Sequence, residues 1–537
     1  MHCVLCIAVA DRFREVNVGK LITAQEAAAL IPDGATIGIA GMGLSGWPEE
    51  IACAMRDSFR ETGHPCDLNL KQGSAMGDWV ERGVTRLGEA GPGLVTRWAG
   101  AHISSAFTLR DLAVQNKLQC HCLPQGVIVN LWREIAAGRP GLLTKVGLGT
   151  FVDPRLEGGK MNECTVDELV KLVEFEGEEY LFYKGFKLDV ALIRGTIADE
   201  DGNISFAKES IINEGLAVAT AAKNTGGIVI VQVEYLTQKR TLNPKEVKIP
   251  GILVDYIVQA KDQRSCWQAE GIYFEPAFSG QIRKPLSAIE PLPFDERKVI
   301  NRRCAMELSV GDVVNLGIGM PADMSKIVAE EGYLDYVTLT TESGMIGGVP
   351  SALPNFGSAY NTDAVIDHGS MFDIIDGGGL SMACLGIGEI DRFGNNNVSK
   401  LGSRLTGPGG FINITRATHE VVFCGTFMGK AEMRVGDGSI SIVREGSIKK
   451  FVHEVEQITF AGQYSPPGQS VLYVTERCVF TLIDGKMTLI EIAPGIDLEK
   501  DILAQMDFTP EISKDLITMD AGIFCEHWGG LGKYIGV

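Results

Sequence analysis

Short apolar segments alternate with amphipathic, helix-like patterns along much of the chain. Between them, the stretch from Tyr336 to Thr341 is rich in β-branched residues and predicts a short buried strand. It runs directly into Glu342, and three glycines then fall within residues 344–348. Open α/β sheets bind ligands at the carboxyl ends of strands, where glycines let a substrate approach the backbone closely. Taken alone, however, a Glu before a glycine-rich loop is more often a turn or capping residue.

The chain also contains an internal repeat. Residues 33–42 align by eye with residues 311–320, and each segment is followed by a glycine-rich turn, a proline and a helical pattern. Residues 189–205 resemble residues 382–399 in the same way. We therefore predict an α/β fold of two tandem, similar domains with largely parallel open sheets. We expect the active site at their interface, because clefts often form between domains.

A proline-rich stretch marks the expected seam between the two domains. The first half carries about 85 extra residues, which we place mostly within an insertion at about 123–181. The resulting prediction is an N-terminal extension at 1–18, for which disorder is one expectation, a first domain at 19–284, a linker at 285–294, and a second domain at 295–537.

Composition narrows the function classes. The 537 residues are 45% hydrophobic, with a formal net charge of −19. This balance predicts a soluble, well-folded protein and argues against nucleic acid or a membrane surface as partner. No apolar run approaches the roughly 18 residues that cross a bilayer. The 13 scattered cysteines favour a reduced, cytoplasmic compartment.

Two possible motifs carry less than they first suggest. Residues 41–46 satisfy the dinucleotide pattern G-x-G-x-x-G, but the strand after Asp67 lacks an acid at its carboxyl end. We therefore disfavour a dinucleotide cofactor. The segment Cys120-His121-Cys122 has no second cluster at ligand spacing, so we predict no metal.

Several short motifs occur together and in a fixed order. They are Leu123–Gly126, residues 146–155 with Glu157–Lys160, Glu342–Gly344, Gly377–Leu380, Gly407–Ile412 and Ile490–Asp497. In this combination the chain resembles the family I CoA-transferases, most closely the branch of short-chain acyl-CoA:acetate and propionate CoA-transferases. The resemblance extends from about Ile22 to about Asp520. One departure is Asn413, where Asp is frequent in the family pattern.

The resemblance implies a covalent, ping-pong mechanism. Glu342 attacks the acyl-CoA thioester, an acyl-glutamyl anhydride forms, and CoA then moves onto Glu342 as a glutamyl-CoA thioester. A second carboxylate of the acetate, propionate or butyrate type reverses these steps. Gln125 and a backbone N–H at Gly410 are expected to stabilise the oxyanion. With an ordinary pKa of about 4.3, Glu342 would be ionised at neutral pH.

The same resemblance gives expected contacts to CoA and expected partners. Coenzyme A enters as a substrate, with no other cofactor, and the partners are acyl-CoA and small carboxylates. We also expect a homo-oligomer, either a dimer or a tetramer. The residues expected to contact CoA are Gly126, Gly344, Gly378, Gly379, Gly386, Lys400, Arg404, Gly409 and Lys430.

Two other functions stay open. An acyl-CoA hydrolase on the same scaffold would use water to resolve the intermediate, whereas a transferase should be accelerated by added acetate. A non-catalytic regulator that binds acyl-CoA is the other alternative. No basic DNA-binding module is visible in the sequence, and the intact motif at Glu342 argues against a protein that has lost its activity.

Overall fold

The computed structural model describes residues 19–74 and 76–537 of the chain. The predicted extension at 1–18 lies outside the described residues. Two large sheets organise the rest. The strands of the first sheet lie between residues 20 and 259, and those of the second between residues 313 and 518. The predicted linker at 285–294 falls between them, and its exact bounds stay a prediction.

The first sheet has eight strands, all parallel, in the order β1-β15-β12-β9-β2-β3-β4-β5. Strands β6, β7 and β8 form a separate antiparallel sheet within the expected insertion. The strands are β1 (Lys20–Ile22), β2 (Thr36–Ile39), β3 (Leu68–Gln72), β4 (Val95–Gly100), β5 (Gln119–Cys122), β6 (Gly141–Thr144), β7 (Val170–Phe175), β8 (Glu178–Lys184), β9 (Val190–Arg194), β10 (Ile197–Asp199), β11 (Ile204–Ser205), β12 (Ile228–Val233), β13 (Tyr235–Thr237), β14 (Val247–Ile249) and β15 (Tyr256–Gln259).

The second sheet has ten strands in the order β21-β18-β17-β16-β22-β27-β32-β33-β34-β35, and its five central strands, β17 to β32, are parallel. The strands of this half are β16 (Val313–Leu316), β17 (Thr338–Thr340), β18 (Met345–Ile346), β19 (Val349–Pro350), β20 (Ala359–Tyr360), β21 (Ala364–Val365), β22 (Met382–Gly386), β23 (Glu389–Ile390), β24 (Asn396–Asn397), β25 (Lys400–Leu401), β26 (Arg404–Leu405), β27 (Glu420–Cys424), β28 (Met428–Gly429), β29 (Glu432–Gly436), β30 (Ser439–Arg444), β31 (Ile448–Lys449), β32 (Ser470–Val474), β33 (Cys478–Ile483), β34 (Lys486–Ile492) and β35 (Glu511–Thr518).

Helices cover the sheets and lie between consecutive parallel strands, as parallel connections require. Within the described residues, no helix is long and apolar enough to cross a membrane. The α-helices are α1 (Ala24–Ala29), α2 (Glu49–Thr62), α3 (Thr85–Gly88), α4 (Phe107–Val114), α5 (Gln125–Ala136), α6 (Gly215–Thr225), α7 (Glu296–Ala305), α8 (Met324–Glu331), α9 (His368–Asp376), α10 (Phe411–Ala417) and α11 (Leu531–Ile535).

The strand order reproduces the internal repeat. Strands β12-β9-β2-β3 are neighbours in the first sheet, and their sequence counterparts β27-β22-β16-β17 are neighbours in the same order in the second. The predicted α/β class with largely parallel sheets is confirmed. One strand is shorter than predicted: β17 begins at Thr338, because Tyr336 ends a short 3₁₀ turn with its ring 38% exposed.

One apolar cluster forms the core of the first half and also takes in Leu405 and Ile412, two further clusters form the core of the second half, and a small fourth cluster lies between the halves. Ile211 from the first half packs with Met345 and Ala359 from the second, and Met42 and Val365 cover this group. The glycine-rich loop 41–46 contributes Met42 to this contact. Its glycines serve a tight turn, because Gly41 has φ of 134° and a side chain there would overlap the carbonyl oxygen of Ser45.

Candidate active site at the interface of the two halves

Glu342 lies at the carboxyl end of β17, on the edge that faces the first half. The chain turns back after it into β18, which pairs antiparallel with β17. This reversal requires Gly344, whose φ is 104° and whose position leaves no room for a side chain beside the carbonyl oxygen of Ile366. The backbone conformation of the turn therefore explains the glycine of the motif, and the turn fixes the position of the Glu342 Cα atom.

Glu342 is a desolvated carboxyl group. It is 6% exposed, and its Oε2 atom is buried without a hydrogen-bond partner. Burial raises the pKa of Glu342 to about 7, although the hydrogen bond from its own backbone N–H acts in the opposite direction. The expectation of an ordinary pKa, made without knowledge of this burial, is therefore wrong.

Gln125 reaches the interface as the first residue of α5. Its Nε2 atom lies 2.8 Å from Nε2 of His368, the first residue of α9 in the second half. The other ring nitrogen of His368, Nδ1, lies 2.9 Å from Oε2 of Glu214, a residue of the first half. We call these three buried residues, Gln125, His368 and Glu214, the interface network.

The amino terminus of α5 is held by the second half of the chain. The Gln125 N–H donates to the carbonyl oxygen of Gly409 at 2.9 Å, and the Gly126 N–H donates to Oδ1 of Asn413 at 3.0 Å. The first N–H groups of a helix have no partner within the helix, so these two bonds satisfy groups that would otherwise be orphaned. Gly126 must be glycine, because a Cβ there would overlap the ring of Phe372.

Gly410 is in contact with Glu342. A Cβ on Gly410 would lie 3.5 Å from Cγ of Glu342, and the Gly410 N–H donates no hydrogen bond within the described residues. An unengaged N–H beside a carboxyl group is suited to receive a developing oxyanion. The structure thus brings together three of the predicted residues, Glu342, Gln125 and Gly410, with Gly126, Gly344 and Gly409 next to them in sequence.

Some of the residues expected to contact CoA lie on the same edge of the second sheet. Gly386 ends β22 and faces open space, since a Cβ there would meet nothing within 4 Å. Lys400 and Arg404 form the short hairpin β25–β26 that leads into the Gly409 loop. Lys400 also borders a groove of about 740 Å³ that is shared with Lys160 of the first half.

Three other residues are not part of this group. Gly378 and Gly379 follow α9 and precede β22, so they lie at the amino edge of the second sheet, opposite to Glu342. The five residues of β22 separate the two edges by about 16 Å. Lys430 lies in an exposed turn after β28, with φ of 64°. A CoA contact from these three residues stays a prediction without support from their placement.

Known proteins share both this sequence and this fold. A family model described as Coenzyme A transferase matches residues 21–260. The caffeate CoA-transferase of Acetobacterium woodii is 66% identical over 525 residues, which are 97% of this chain and 100% of that protein. The chain belongs to the family I CoA-transferases. The acetate CoA-transferase YdiF of Escherichia coli O157:H7 is 41% identical to this CoA-transferase over 511 residues, 94% of this chain and 95% of that protein.

The structural comparison agrees with the sequence comparison. The crystal structure of the YdiF apoenzyme superimposes with a TM-score of 0.90 at 40% identity, covering 96% of this CoA-transferase and 98% of that chain. A YdiF thioester complex with CoA superimposes with a TM-score of 0.89 over the same shares. The predicted family and fold are confirmed by these relatives.

The sequence missed two members of the interface network. Nothing marks His368 or Glu214 locally, because each takes its meaning from residues far away: 243 positions separate Gln125 from His368, and 154 separate His368 from Glu214. In the sequence Asn413 stands out only as a departure from the family pattern, whereas in the structure it joins α5 to the second half. The only usable signal was the adjacency of His368 to Asp367, which caps α9.

A small cavity also lies between the two halves of this CoA-transferase. It measures about 10 Å³, room for one water molecule, and is lined by Met42 and Glu270 from the first half and Gly357 from the second. Ser343, which follows Glu342, donates to the carbonyl oxygen of Gly357 at 2.6 Å. Burial and the charge of Asp78 raise the pKa of Glu270 well above its usual range.

Three cysteines of the second half meet in its core. The sulfur atoms of Cys304, Cys384 and Cys424 lie within 4.8 Å of one another, although their spacing in the sequence gave no sign of it. All three side chains are at most 1% exposed and belong to an apolar cluster that includes Val314 and Leu316. Because their neighbours are mainly apolar side chains, we interpret them as small apolar core residues.

Proposed function

We propose that this CoA-transferase moves CoA between an acyl-CoA and a free carboxylate through a glutamyl-CoA thioester on Glu342. The observation that carries the proposal is the convergence of three groups at the interface. Among the described residues, Glu342 is a buried carboxyl group with an unpartnered oxygen, Gly410 is its close neighbour and has an unengaged N–H, and Gln125 brings a side-chain amide from the other half. A nucleophile between two possible oxyanion donors is what acyl transfer requires.

Each step of the proposed reaction balances without a cofactor. A carboxylate oxygen of Glu342 attacks the thioester carbonyl, the C–S bond breaks, and CoA leaves as a thiolate. The thiolate then attacks the glutamyl carbonyl of the anhydride, and the C–O bond breaks to release the first acid as its carboxylate. A second carboxylate repeats the steps in reverse. The energy of the thioester is retained, because one thioester is exchanged for another.

Exclusion of water distinguishes a transferase from the alternative hydrolase. Glu342 is almost completely buried between the two halves, which protects the anhydride and the enzyme thioester from hydrolysis. Buried placement also strengthens the interaction of Gly410 and Gln125 with a developing oxyanion. We therefore favour transfer to a carboxylate over hydrolysis, and over a protein that only binds acyl-CoA.

For the acyl group we propose two candidates. Near-complete coverage at 66% identity supports an aromatic propenoate of the caffeate type, as in the relative from Acetobacterium woodii. The motif resemblance and the 41% identical YdiF support the short-chain carboxylates acetate and propionate. The cavity near Ser343, lined by the apolar Met42 and by Glu270, whose pKa is raised by burial, is the proposed start of the acyl pocket.

The first test is the intact mass of the protein after brief incubation with acetyl-CoA, followed by peptide mapping. A CoA-sized adduct is expected on the peptide that contains Glu342, and added carboxylate should discharge it. Discharge by caffeate, acetate and propionate in parallel then ranks the proposed acceptors. The Glu342→Gln variant should form no adduct, whereas the control Glu246→Gln, at an exposed acid, should behave as the wild type.

Two outcomes of that experiment would contradict the proposal. If neither acetyl-CoA nor caffeoyl-CoA forms an adduct and both are left intact, the transferase assignment is overturned in favour of a binding role. If acetyl-CoA is consumed at a rate that no carboxylate changes, the protein is a hydrolase.

Coenzyme A is the only cofactor-sized group that the proposal requires. The homo-oligomeric state stays a prediction.

A further inference from the structure

We infer that His368 and Glu214 are positioning residues that hold the side-chain amide of Gln125 in the one orientation able to stabilise the oxyanion. The inference rests on the proposed function, since it concerns how one of its oxyanion donors is held. It goes further by assigning a role to two residues that belong to no motif. The evidence is the interface network: Gln125 Nε2 to His368 Nε2 at 2.8 Å, and His368 Nδ1 to Glu214 Oε2 at 2.9 Å.

Glu214 determines which nitrogen of His368 carries the hydrogen. An ionised carboxylate only accepts hydrogen bonds, so its contact with Nδ1 requires a hydrogen on that nitrogen. The proposed orientation requires a neutral ring, in which the other nitrogen, Nε2, is bare and can only accept; a protonated ring would donate from Nε2 and reverse the Gln125 amide. All three side chains are shielded from solvent, with exposures of 2% for Gln125, 0% for His368 and 4% for Glu214, so water cannot substitute for a missing partner.

A bare Nε2 on His368 in turn determines how the amide of Gln125 is oriented. Only the NH₂ end of the amide can face an acceptor, so the carbonyl end, Oε1, must point away. Oε1 accordingly lies on the side of Gly409, 3.8 Å from where a Cβ of that residue would be. One N–H of the NH₂ group is used by His368, and the second is left to donate to the reacting carbonyl beside Glu342.

The reversed amide would oppose the reaction. It would present a carbonyl oxygen to the developing oxyanion, and two acceptors facing each other repel. Without His368 and Glu214 both orientations of the Gln125 amide become accessible, and part of the population loses the donor. Removal of a single oxyanion donor lowers kcat about 100- to 1000-fold in enzymes of this kind of chemistry.

The network also depends on both halves being in place. Glu214 and Gln125 come from the first half, and His368 comes from the second. The backbone N–H of His368 also donates to the carbonyl oxygen of Ile212 in the first half, at 3.0 Å. The ring is held further by Phe372, with 5.5 Å between ring centroids. The orientation of the donor is therefore decided by the docking of the two domains.

The test is a double-mutant cycle measured by steady-state kinetics. His368→Phe keeps a ring of similar shape but has no acceptor, and we expect kcat to fall about 100-fold with KM changed less than about threefold. Gln125→Ala should lose at least as much. In the Gln125→Ala background, His368→Phe should cause no further loss, because the residue that it positions is gone.

Two further variants keep the test decisive. Glu214→Gln preserves shape but can donate to Nδ1 as well as accept, so the tautomer is no longer enforced and we expect about a tenfold loss of kcat. His121→Phe is the matched control: His121 is buried, hydrogen-bonds a backbone carbonyl in the first half, and should leave kcat unchanged.

Multiplied losses in the double variant, or a change confined to KM, would overturn the inference and assign His368 to folding or binding alone. Full activity of both His368→Phe and Glu214→Gln would overturn it as well. If His368→Phe does not fold, the same cycle with Glu214→Gln and Gln125→Ala decides. The adduct on wild-type Glu342 judges the proposed function separately, since it requires no variant of the interface network.

Discussion

At the residue scale, burial gives Glu342 two opposing properties. Removal from water disfavours its charged form and raises its pKa to about 7. The same desolvation leaves the ionised form poorly stabilised and therefore reactive, because Oε2 has no hydrogen-bond donor of its own. As the proposed nucleophile, Glu342 has fewer ionised molecules at neutral pH, but each ionised carboxylate is more reactive, and burial causes both effects.

The pH dependence of catalysis follows from that pKa. Only the carboxylate form of Glu342 attacks, so kcat/KM for acyl-CoA should be lost as pH falls through about 7 and should level off above it. A profile between pH 5 and pH 9 measures this directly. An apparent pKa near the ordinary value of about 4.3 would show that solvent or substrate reaches the free carboxylate.

At the element scale, three helices begin at the site. Gln125 is the first residue of α5, His368 is the first residue of α9, and Gly410 precedes α10. The N–H groups at helix starts carry a partial positive charge, which favours the negative charge that develops during acyl transfer. Two of these starts, α5 and α10, are joined by Asn413, which lies within α10 and accepts from Gly126.

Asn413→Asp tests how the two helices are joined. Nδ2 of Asn413 donates to Asp376 at 2.9 Å, and burial raises the pKa of Asp376 to about 6. An Asp at position 413 loses that donor and faces a second carboxyl group. We expect about 1–3 kcal/mol lower unfolding free energy at pH 8, and a smaller loss at pH 5, where the pair can hold a proton.

Urea unfolding at both pH values provides the measurement for this variant. Adding Asp376→Asn to Asn413→Asp restores a donor and acceptor pair and should recover most of the stability at pH 8. Equal losses at pH 5 and pH 8, or no recovery in the double variant, would show that repulsion between the two side chains is not the cause.

At the scale of the whole molecule, the two halves share a strand order but contribute different residues to the proposed active site. Strand β17 leads to Glu342, whereas its counterpart β3 ends at Gln72 and is followed by Gly73. Gly73 instead leaves room for Glu214, whose Oε1 lies where a side chain at that position would be. The second half supplies the proposed nucleophile, and the first supplies the amide and the carboxylate of the interface network.

The burial of Glu342 lowers the free energy of unfolding of the whole protein when the carboxyl group is ionised. Its folded pKa of about 7 lies above the unfolded value of 4.5, so between these values the native state holds a proton that the unfolded state has released. Stability therefore falls as pH rises through this window. Glu342→Gln removes the effect and should be more stable than wild type by roughly 1–3 kcal/mol at pH 8.

Below about pH 4.5 both states of the wild type are protonated at this position, and the advantage of Glu342→Gln should vanish. Denaturant titrations of the two proteins across the window measure the difference. An advantage that is the same at every pH, or a less stable variant, would contradict the desolvated state of Glu342.

The sequence went far in predicting the fold. Apolar strands that alternate with helical patterns, and a repeat anchored at residues 33–42 and 311–320, indicated two similar α/β halves, and the strand orders of the two sheets agree with this. Strand ends were less certain, since Tyr336 fits the β pattern but belongs to a 3₁₀ turn. The β propensity of a segment predicts that a strand is present, whereas tertiary packing determines at which residue the strand begins.

The candidate site, too, was predictable from the sequence only in part. Motifs with a local backbone reason, such as Glu342 followed by Gly344, could be read from the sequence, because a turn of that kind leaves few choices of residue. Tertiary structure alone decided the rest: the pKa of Glu342, the partnership of Gln125 with His368 and Glu214, and the separation of Gly378 from the site. Desolvation and long-range hydrogen bonds depend on which distant segments meet, and local patterns carry no record of that.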